Sequence, residues 1–409
     1  MSPGNLASNP RLLKEADALH SAGYDVTTVI SDFSESTRAF DDELVARVRW
    51  RVVRIARQRG LNLRSAASAL IARSLGGMVP VGLACRAAGG APVGAMMSAV
   101  RAIEADLYVA HYVAALPAAA GAARRHGALL GFDAEDFHSG EGGEGAGDEF
   151  RMKMVAAVEQ STLPRCDYST AASPLIGRAY AERYGVSPTT ILNVFPLAMA
   201  PRQPRPGERS PAQLKAYWFS QTSGLDRGLQ AFVQAMALAR CRVTLDIRGS
   251  NRWGHGDTLM RLAGELGIDD RVRLLPLAAP DEMVRLAADY DLGLSLETDI
   301  SESRKYCLTN KIFTYLLAGI PMMLSDTPAQ RALAADLGRA ATVVSLAEPA
   351  AMASALDLMC DTEGALEEAM VTAWRLGRER YNWEVEQRLL IAAVAGAFEG
   401  ASAGPSWRH

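Results

Sequence analysis

The sequence predicts an α/β protein organised as two doubly wound parallel sheets. Helical and strand-like runs alternate from end to end, and the strand-like runs are short and apolar without strict alternation. Strands covered by helices on both faces look like this, because neither face has to be polar. A third observation divides the series in two. Residues 200–213 (APRQPRPGERSPAQ) carry four prolines, a glycine and many polar groups, the composition of a linker.

Length and composition agree. At 409 residues the chain is too long for one core and suits two domains of about 200 residues each. Apolar residues make up 49% and charged residues 22%, and a net charge of -3 gives no global attraction to nucleic acid. The five cysteines, Cys85, Cys166, Cys241, Cys307 and Cys360, are scattered and never spaced as C-x-x-C. That argues against a disulfide framework or a zinc site and for a reducing cytoplasm. Residues 1–19 lack the basic-then-apolar build of a secretory signal. Residues 65–100 are the most apolar stretch, but Arg73, Arg86 and several Gly and Pro interrupt them, so no spanning helix is expected.

The elements follow in order. Residues 9–22 read as a helix capped by Asn9, with Leu12, Leu13, Ala16 and Leu19 on one face. Gly23 stops it, and residues 25–30 (DVTTVI) form a β-branched strand. Further strands are expected at 107–110, 129–132 and 168–171. After the linker come strands at 215–219, 242–247, 272–275, 292–296 and 322–324, with helices at 227–239, 258–266, 281–288 and 310–318. Residues 375–398 read as a helix, a turn and a second helix. The expected first domain is 1–200, with the helix of 382–409 returning to it, and the second is 201–381. Two such sheets place ligands at the carboxyl ends of their strands. One element is absent: Ser2-Pro3-Gly4-Asn5 is already a loop, so either the true start lies upstream or this sheet lacks its central strand.

Residues 306–328 (YCLTNKIFTYLLAGIPMMLSDTP) carry the sharpest local signal. Thr309 and Asn310 cap a helix that ends at Gly319, with Pro321 beyond it. The free N–H groups and dipole of such a helix start favour an anion such as a diphosphate, and Lys311 adds a point charge.

These residues resemble a known family. "NKIFTYLLAGIPMMLSD", "RVRLLPLAAPDEMVRLAADYDLGLSL" and "SQTSGLDRGLQAFVQAMA" are similar to the donor-binding domain of family 4 glycosyltransferases. "NLASNPRLLKEADALHSAGYDVTTV" and "GFDAEDFHSGE" are similar to the acceptor domain of the same group. The resemblance covers nearly the whole chain. It implies a GT-B fold, two Rossmann-like domains facing across a cleft, with retaining transfer, no metal and no cofactor. The donor would be a nucleoside diphosphate sugar of UDP or GDP type.

The resemblance also implies site residues. The backbone of Leu308, Thr309 and Asn310, with Lys311, would meet the donor diphosphate, and Arg227 would pair with it. Arg248, Gly249 and Arg252 would add to the donor site after the next strand. The two Glu residues that hold sugar and ribose in the family fall at Tyr306 and Thr314, and a second basic residue of the family falls at Gln221. Thr314 keeps one hydroxyl but cannot accept two ribose hydroxyls as a carboxylate does.

On the acceptor side, residues 132–150 (FDAEDFHSGEGGEGAGDEF) hold seven acids and one His after a buried strand. Glu135 falls where the family has a His against the donor sugar. A carboxylate there could support oxocarbenium character or orient an acceptor hydroxyl. Asp133, Asp136 and His138 lie beside it, and His111 closes the strand "DLYVA". Gly4 and Asn5 would form the first loop, near phosphate or acceptor. Glu141 to Glu149 also read as an acidic surface loop.

Residues 47–64 carry seven Arg and no acid, ahead of an apolar helical stretch over 66–100. Together they could seat the protein on an anionic membrane near a lipid-linked acceptor. They also read as an edge strand with outward Arg and a buried helix. The expectation is therefore a cytoplasmic, potentially membrane-peripheral enzyme that moves sugar to a carbohydrate or lipid-linked acceptor, with no nucleic-acid partner. Loss of the Glu pair keeps a non-catalytic binding or scaffold protein open, and a sugar-nucleotide epimerase is the third reading.

Overall fold

The computed structural model describes residues 1–32, 38–56, 61–75, 79–80, 83–84, 87, 93–142, 146–203 and 213–402. Most of the linker (204–212), residues 57–60 of the basic run, residues 143–145 of the acidic loop, and Cys85 lie outside these. The chain divides into two compact units. One is Met1–Ile191 with Ser301–Ser303 and Gln387–His409; the other is Leu192–Ile300 with Arg304–Glu386.

In the first unit β1 (Thr27–Ser31) pairs in parallel with β2 (Arg51–Ile55). A second parallel sheet runs β3 (Leu107–His111), β4 (Leu129–Ala134), β5 (Tyr168–Ala171), β6 (Thr189–Thr190). Every residue of β4 is buried, as a strand covered on both faces requires. No strand lies between β1 and β3 among the described residues, but residues 1–4 bridge their carboxyl ends. The Ser2 N–H donates to the Val29 carbonyl at 2.9 Å, the Met1 amine donates to Val109 O at 2.8 Å, and His111 N–H donates to Met1 O at 2.8 Å. On the amino-terminal side of this bridge is a cavity of about 290 Å³, lined by Met1, Glu15, Val29, Val109 and Tyr168.

The helix Pro10–Ser21 is capped as expected, the Leu12 N–H donating to Asn9 Oδ1 at 2.9 Å. Its buried face holds two charged residues besides the apolar ones, Arg11 and Glu15. β2 is an edge strand with Arg51 exposed. The positive charge of the basic run is partly answered, since Arg47 pairs with Glu43 and Arg54 with Asp41 and Asp42. The helix Leu61–Ser74 that follows leaves Leu70 and Ile71 exposed, which goes against the buried-helix alternative for this stretch. Among the described residues no helix is long and apolar enough to cross a membrane.

The second unit holds one parallel six-stranded sheet in the order β12-β11-β10-β7-β8-β9. Its strands are β7 (Gln213–Thr222), β8 (Arg242–Ser250), β9 (Val272–Leu275), β10 (Leu292–Ser295), β11 (Met322–Ser325) and β12 (Ala341–Val344). Leu214, Ala216 and Trp218 of β7 join one core cluster with Leu229, Phe232 and Met236 of the helix Leu229–Leu238. Tyr217 and Phe219, on the other face, meet Tyr315 and Tyr290.

The helix Asn310–Ala318 has the bounds its sequence predicts, but its capping differs. No side chain caps it, because the Thr309 hydroxyl turns to Ser295 Oγ at 3.1 Å. A missing cap costs about 1 kcal/mol. Burial of Ile312, Phe313, Leu316 and Leu317, each worth about 1.5–3 kcal/mol, outweighs it several-fold. The helix is held by its core face, and its amino end keeps backbone N–H groups that no side chain covers.

Candidate functional site

Two clusters of ionisable groups stand at strand ends, one in each unit. In the second unit the chain leaves β10 at Ser295 and buries the Glu297 carboxylate two residues on, its side chain 1% exposed. Three cations converge on it. Arg227 donates from NH1 to Oε2 at 2.7 Å, Arg304 donates to the same oxygen at 2.8 Å, and Lys311 Nζ lies 2.9 Å from Oε1. Asp226, half exposed, is 3.7 Å from Arg227 and 3.9 Å from Arg304. Burial alone would raise the Glu297 carboxyl, but Lys311 and Arg227 override it and hold it below the usual carboxylate range. Three cations against two carboxylates leave the cluster net positive beside the uncapped helix start.

Local chain geometry explains the convergence. Arg227 ends a turn (Leu225–Arg227) after β7, and Gly228 follows at φ 64°. A Cβ on Gly228 would meet Leu296 Cβ at 2.8 Å and Leu296 O at 2.9 Å, so only glycine lets this turn lie against the end of β10. Lys311 is the second residue of its helix and points back under Trp218, 5.8 Å from the ring centre. Sequence reasoning singled out Arg227 and Lys311, which the structure brings together on Glu297, but passed over Glu297 and Arg304.

The other expected donor residues are placed as follows. Arg248 donates to the Tyr217 hydroxyl at 2.9 Å and to Pro276 O at 2.7 Å. Gly249 lies so close to β7 that a Cβ would meet Ser220 O at 2.9 Å. The Arg252 guanidinium stacks 4.7 Å above the exposed Trp253 ring. Leu308 is buried just before the helix start, and the Thr309 and Asn310 backbone forms that start. Thr314 is fully buried and donates its hydroxyl to Asn310 O at 3.0 Å, back-bonding within the helix rather than presenting it outward.

In the first unit the centre is Arg11, 1% exposed. It donates two hydrogen bonds to Asp133, from Nε and NH2, each at 2.7 Å, and a third to Ile191 O at 2.6 Å. The Thr170 hydroxyl donates to the same carboxylate at 2.5 Å. His111 Nδ1 is 3.1 Å from Asp133 but off the line of a hydrogen bond, and its Nε2 is 3.5 Å from Glu15. Burial would raise the Asp133 carboxyl; Arg11 and His111 override it and hold the group well below the usual range. Ligand atoms of Glu15, His111 and Asp133 lie within 4.8 Å of one another, a spacing that suits a cation. The Arg11 guanidinium fills that role, taking both Asp133 oxygens. Asp133 and His111 are thus supports, closed away from solvent.

Glu135 is the residue of this group that reaches outward, its side chain 16% exposed. It follows β4 directly, accepts from the Tyr112 hydroxyl on Oε2 at 3.0 Å, and leaves Oε1 without a hydrogen-bond partner. Burial and the nearby Asp133 push its carboxyl up to about 7, against the pull of Arg11. Asp136 lies next to it. His138 is buried and paired through Nδ1 with Glu141 at 2.6 Å; burial opposes its charge, yet Glu141 raises it to about 9. Beneath the loop, the hydroxyls of Tyr180 and Tyr184 donate to the buried Glu159 at 2.7 and 2.6 Å, and the His138 N–H donates to Tyr180. Gly4 and Asn5 do not open onto a ligand space here: Asn5 is 1% exposed and its Nδ2 donates to Asp41 at 3.4 Å. Sequence reasoning missed Arg11, Glu15 and Tyr112.

The two parallel-sheet units, taken with comparison to solved structures, define a GT-B fold. HepE of Anabaena, in complex with UDP-glucose, is similar at a TM-score of 0.68 and 15% identity, over 96% of each chain. Sucrose-phosphate synthase of Thermosynechococcus elongatus is similar at 0.68 and 13% identity, over 96% of this chain and 94% of that one. An α,α-trehalose 6-phosphate synthase of Burkholderia multivorans is similar at 0.60 and 15% identity, over 86% of each. No family model and no curated protein matches the sequence.

Proposed function

We propose that this protein is a glycosyltransferase that takes a sugar from a nucleoside diphosphate sugar, of UDP type, to a carbohydrate or lipid-linked acceptor. The observation that carries the reading is the convergence of Arg227, Arg304 and Lys311 on buried Glu297, beside the uncapped start of the helix Asn310–Ala318. A net positive, partly buried cluster at a helix amino end suits a diphosphate. The UDP-glucose bound to the similarly folded HepE supports the choice of nucleotide.

The proposed reaction breaks the bond from the anomeric carbon to the diphosphate oxygen, and the electron pair leaves with the nucleoside diphosphate. An acceptor hydroxyl oxygen bonds that carbon, and its proton passes to the departing phosphate. Protein cations offset the charge that develops on the leaving group, the role a divalent metal takes in other transferases, so the reading is metal-independent. Glu135 acts on the sugar side, orienting the acceptor hydroxyl or easing positive charge on the ring. Resemblance to the family 4 enzymes favours retention, work in the cytoplasm and contact with an anionic membrane surface. A binding-only role is the second reading, favoured by the inward turn of Thr314, which leaves the family's ribose contact unmade.

Purified protein offered UDP-glucose and other nucleotide sugars decides between them. Release of UDP, with or without an acceptor, is the expected result. Nucleotide binding without turnover on any donor supports the binding role, and no nucleotide binding at all removes both readings.

A further inference from the structure

Tyr112 is the only non-glycine residue with positive φ among the described residues, at φ 66° and ψ 147°. That region is nearly closed to residues with a Cβ, most of all to an aromatic one, and persists only where surrounding structure enforces it. Here β3 ends at His111, and the chain must enter the turn Val113–Ala115 and the helix Leu116–His126 at once. The strained residue delivers its hydroxyl to Glu135 Oε2 at 3.0 Å, and its ring packs 5.7 Å from His138. The other oxygen of that carboxyl, Oε1, is buried with no hydrogen-bond partner, 4.0 Å from His111. Two unfavourable features, a disallowed backbone and an unsatisfied acceptor, therefore meet at one carboxyl group.

We infer that Tyr112 is a positioning residue: its strained backbone holds its hydroxyl on Glu135 Oε2 and fixes that carboxyl for work on the transferred sugar. The inference rests on the glycosyl-transfer reading above and adds a residue to it. The groups facing Glu135 are Arg11, Lys14 and Glu15 from the first helix, His111 at the end of β3, and Asp133 and Asp136 on either side. Tyr112 joins them from the turn after β3 and holds Glu135 by a direct hydrogen bond. A donated hydrogen bond favours the ionised carboxyl, so its loss should move the Glu135 titration upward from about 7.

The test compares wild type with Tyr112→Phe, which keeps the ring and the backbone, and with Tyr112→Gly, which also relieves the strain. With UDP-glucose as donor, Tyr112→Phe is expected to lower kcat about tenfold with KM within about twofold, and to move the acid limb of kcat to higher pH. Tyr112→Gly is expected to lose as much kcat and to melt lower, because the lost ring packing outweighs the relieved strain; Tyr112→Phe, expected to melt within a few degrees of wild type, separates positioning from folding. An unchanged kcat and acid limb in Tyr112→Phe overturns the inference while leaving the transferase reading intact. If wild type turns over no donor, that reading fails, and carboxyl carbon NMR of Glu135 decides for Tyr112 alone. An upward shift in Tyr112→Phe supports its hold on the carboxyl, and an unmoved titration overturns it.

Discussion

Glu297 organises its surroundings without being a natural ligand for an anion. Its carboxylate holds Arg227, Arg304 and Lys311 in one place, so their charges are assembled before any ligand arrives. If Arg227 pairs with a donor diphosphate, Arg227→Ala should weaken nucleotide binding by about 1.5–3 kcal/mol, the scale of charge-assisted hydrogen bonds. Calorimetry reads this directly, and an unchanged affinity removes Arg227 from the site. Glu135→Gln makes the opposite demand: turnover should fall while nucleotide affinity stays within about twofold, since the group acts in the transition state. Equal loss of both would assign Glu135 a binding or folding role. Arg227, Lys311 and Glu135 were legible because they flank recognisable motifs. Glu297, Arg304, Arg11 and Tyr112 were not, because a buried ion pair or a strained φ depends on residues distant in sequence. Arg11 pairs with Asp133 from 122 residues away.

Elements set these residues in place, and the loops that follow them fix the geometry of the side chains. Gly228 stands at positive φ against Leu296, so Gly228→Ala should cost about 1–3 kcal/mol in denaturant unfolding. The loop after β4 depends on the His138–Glu141 pair. His138 is raised from 6.5 to about 9, so its contribution is complete below pH 6.5 and disappears as pH rises through about 9. His138→Gln should therefore flatten the stability profile between those pH values, and a profile parallel to wild type would show that the pair contributes nothing. The helix Asn310–Ala318 was read to its last residue from Thr309, Gly319 and Pro321, because those signals are local. Its cap was misread because Thr309 has a better partner in Ser295, on a strand the local sequence does not mention.

For the whole molecule, parallel-sheet periodicity was enough to read the α/β fold class, and the solved GT-B structures agree over about 96% of the chain; the two units divide at 191/192, so the proline-rich stretch falls within the second. Ser2-Pro3-Gly4-Asn5 read as a loop, and no strand is assigned to those residues. That residues 1–4 bridge the two sheets was not legible, since the bridge consists of backbone hydrogen bonds to Val29 and Val109. On the proposed function, the second unit binds a nucleoside diphosphate sugar through the cations gathered on Glu297. Calorimetric titration of UDP-glucose into wild type and Lys311→Met tests it most directly. Wild type is expected to bind saturably, more weakly with added salt, and the variant to bind at least tenfold more weakly. Absence of wild-type binding, or equal affinity in the two proteins, would contradict it.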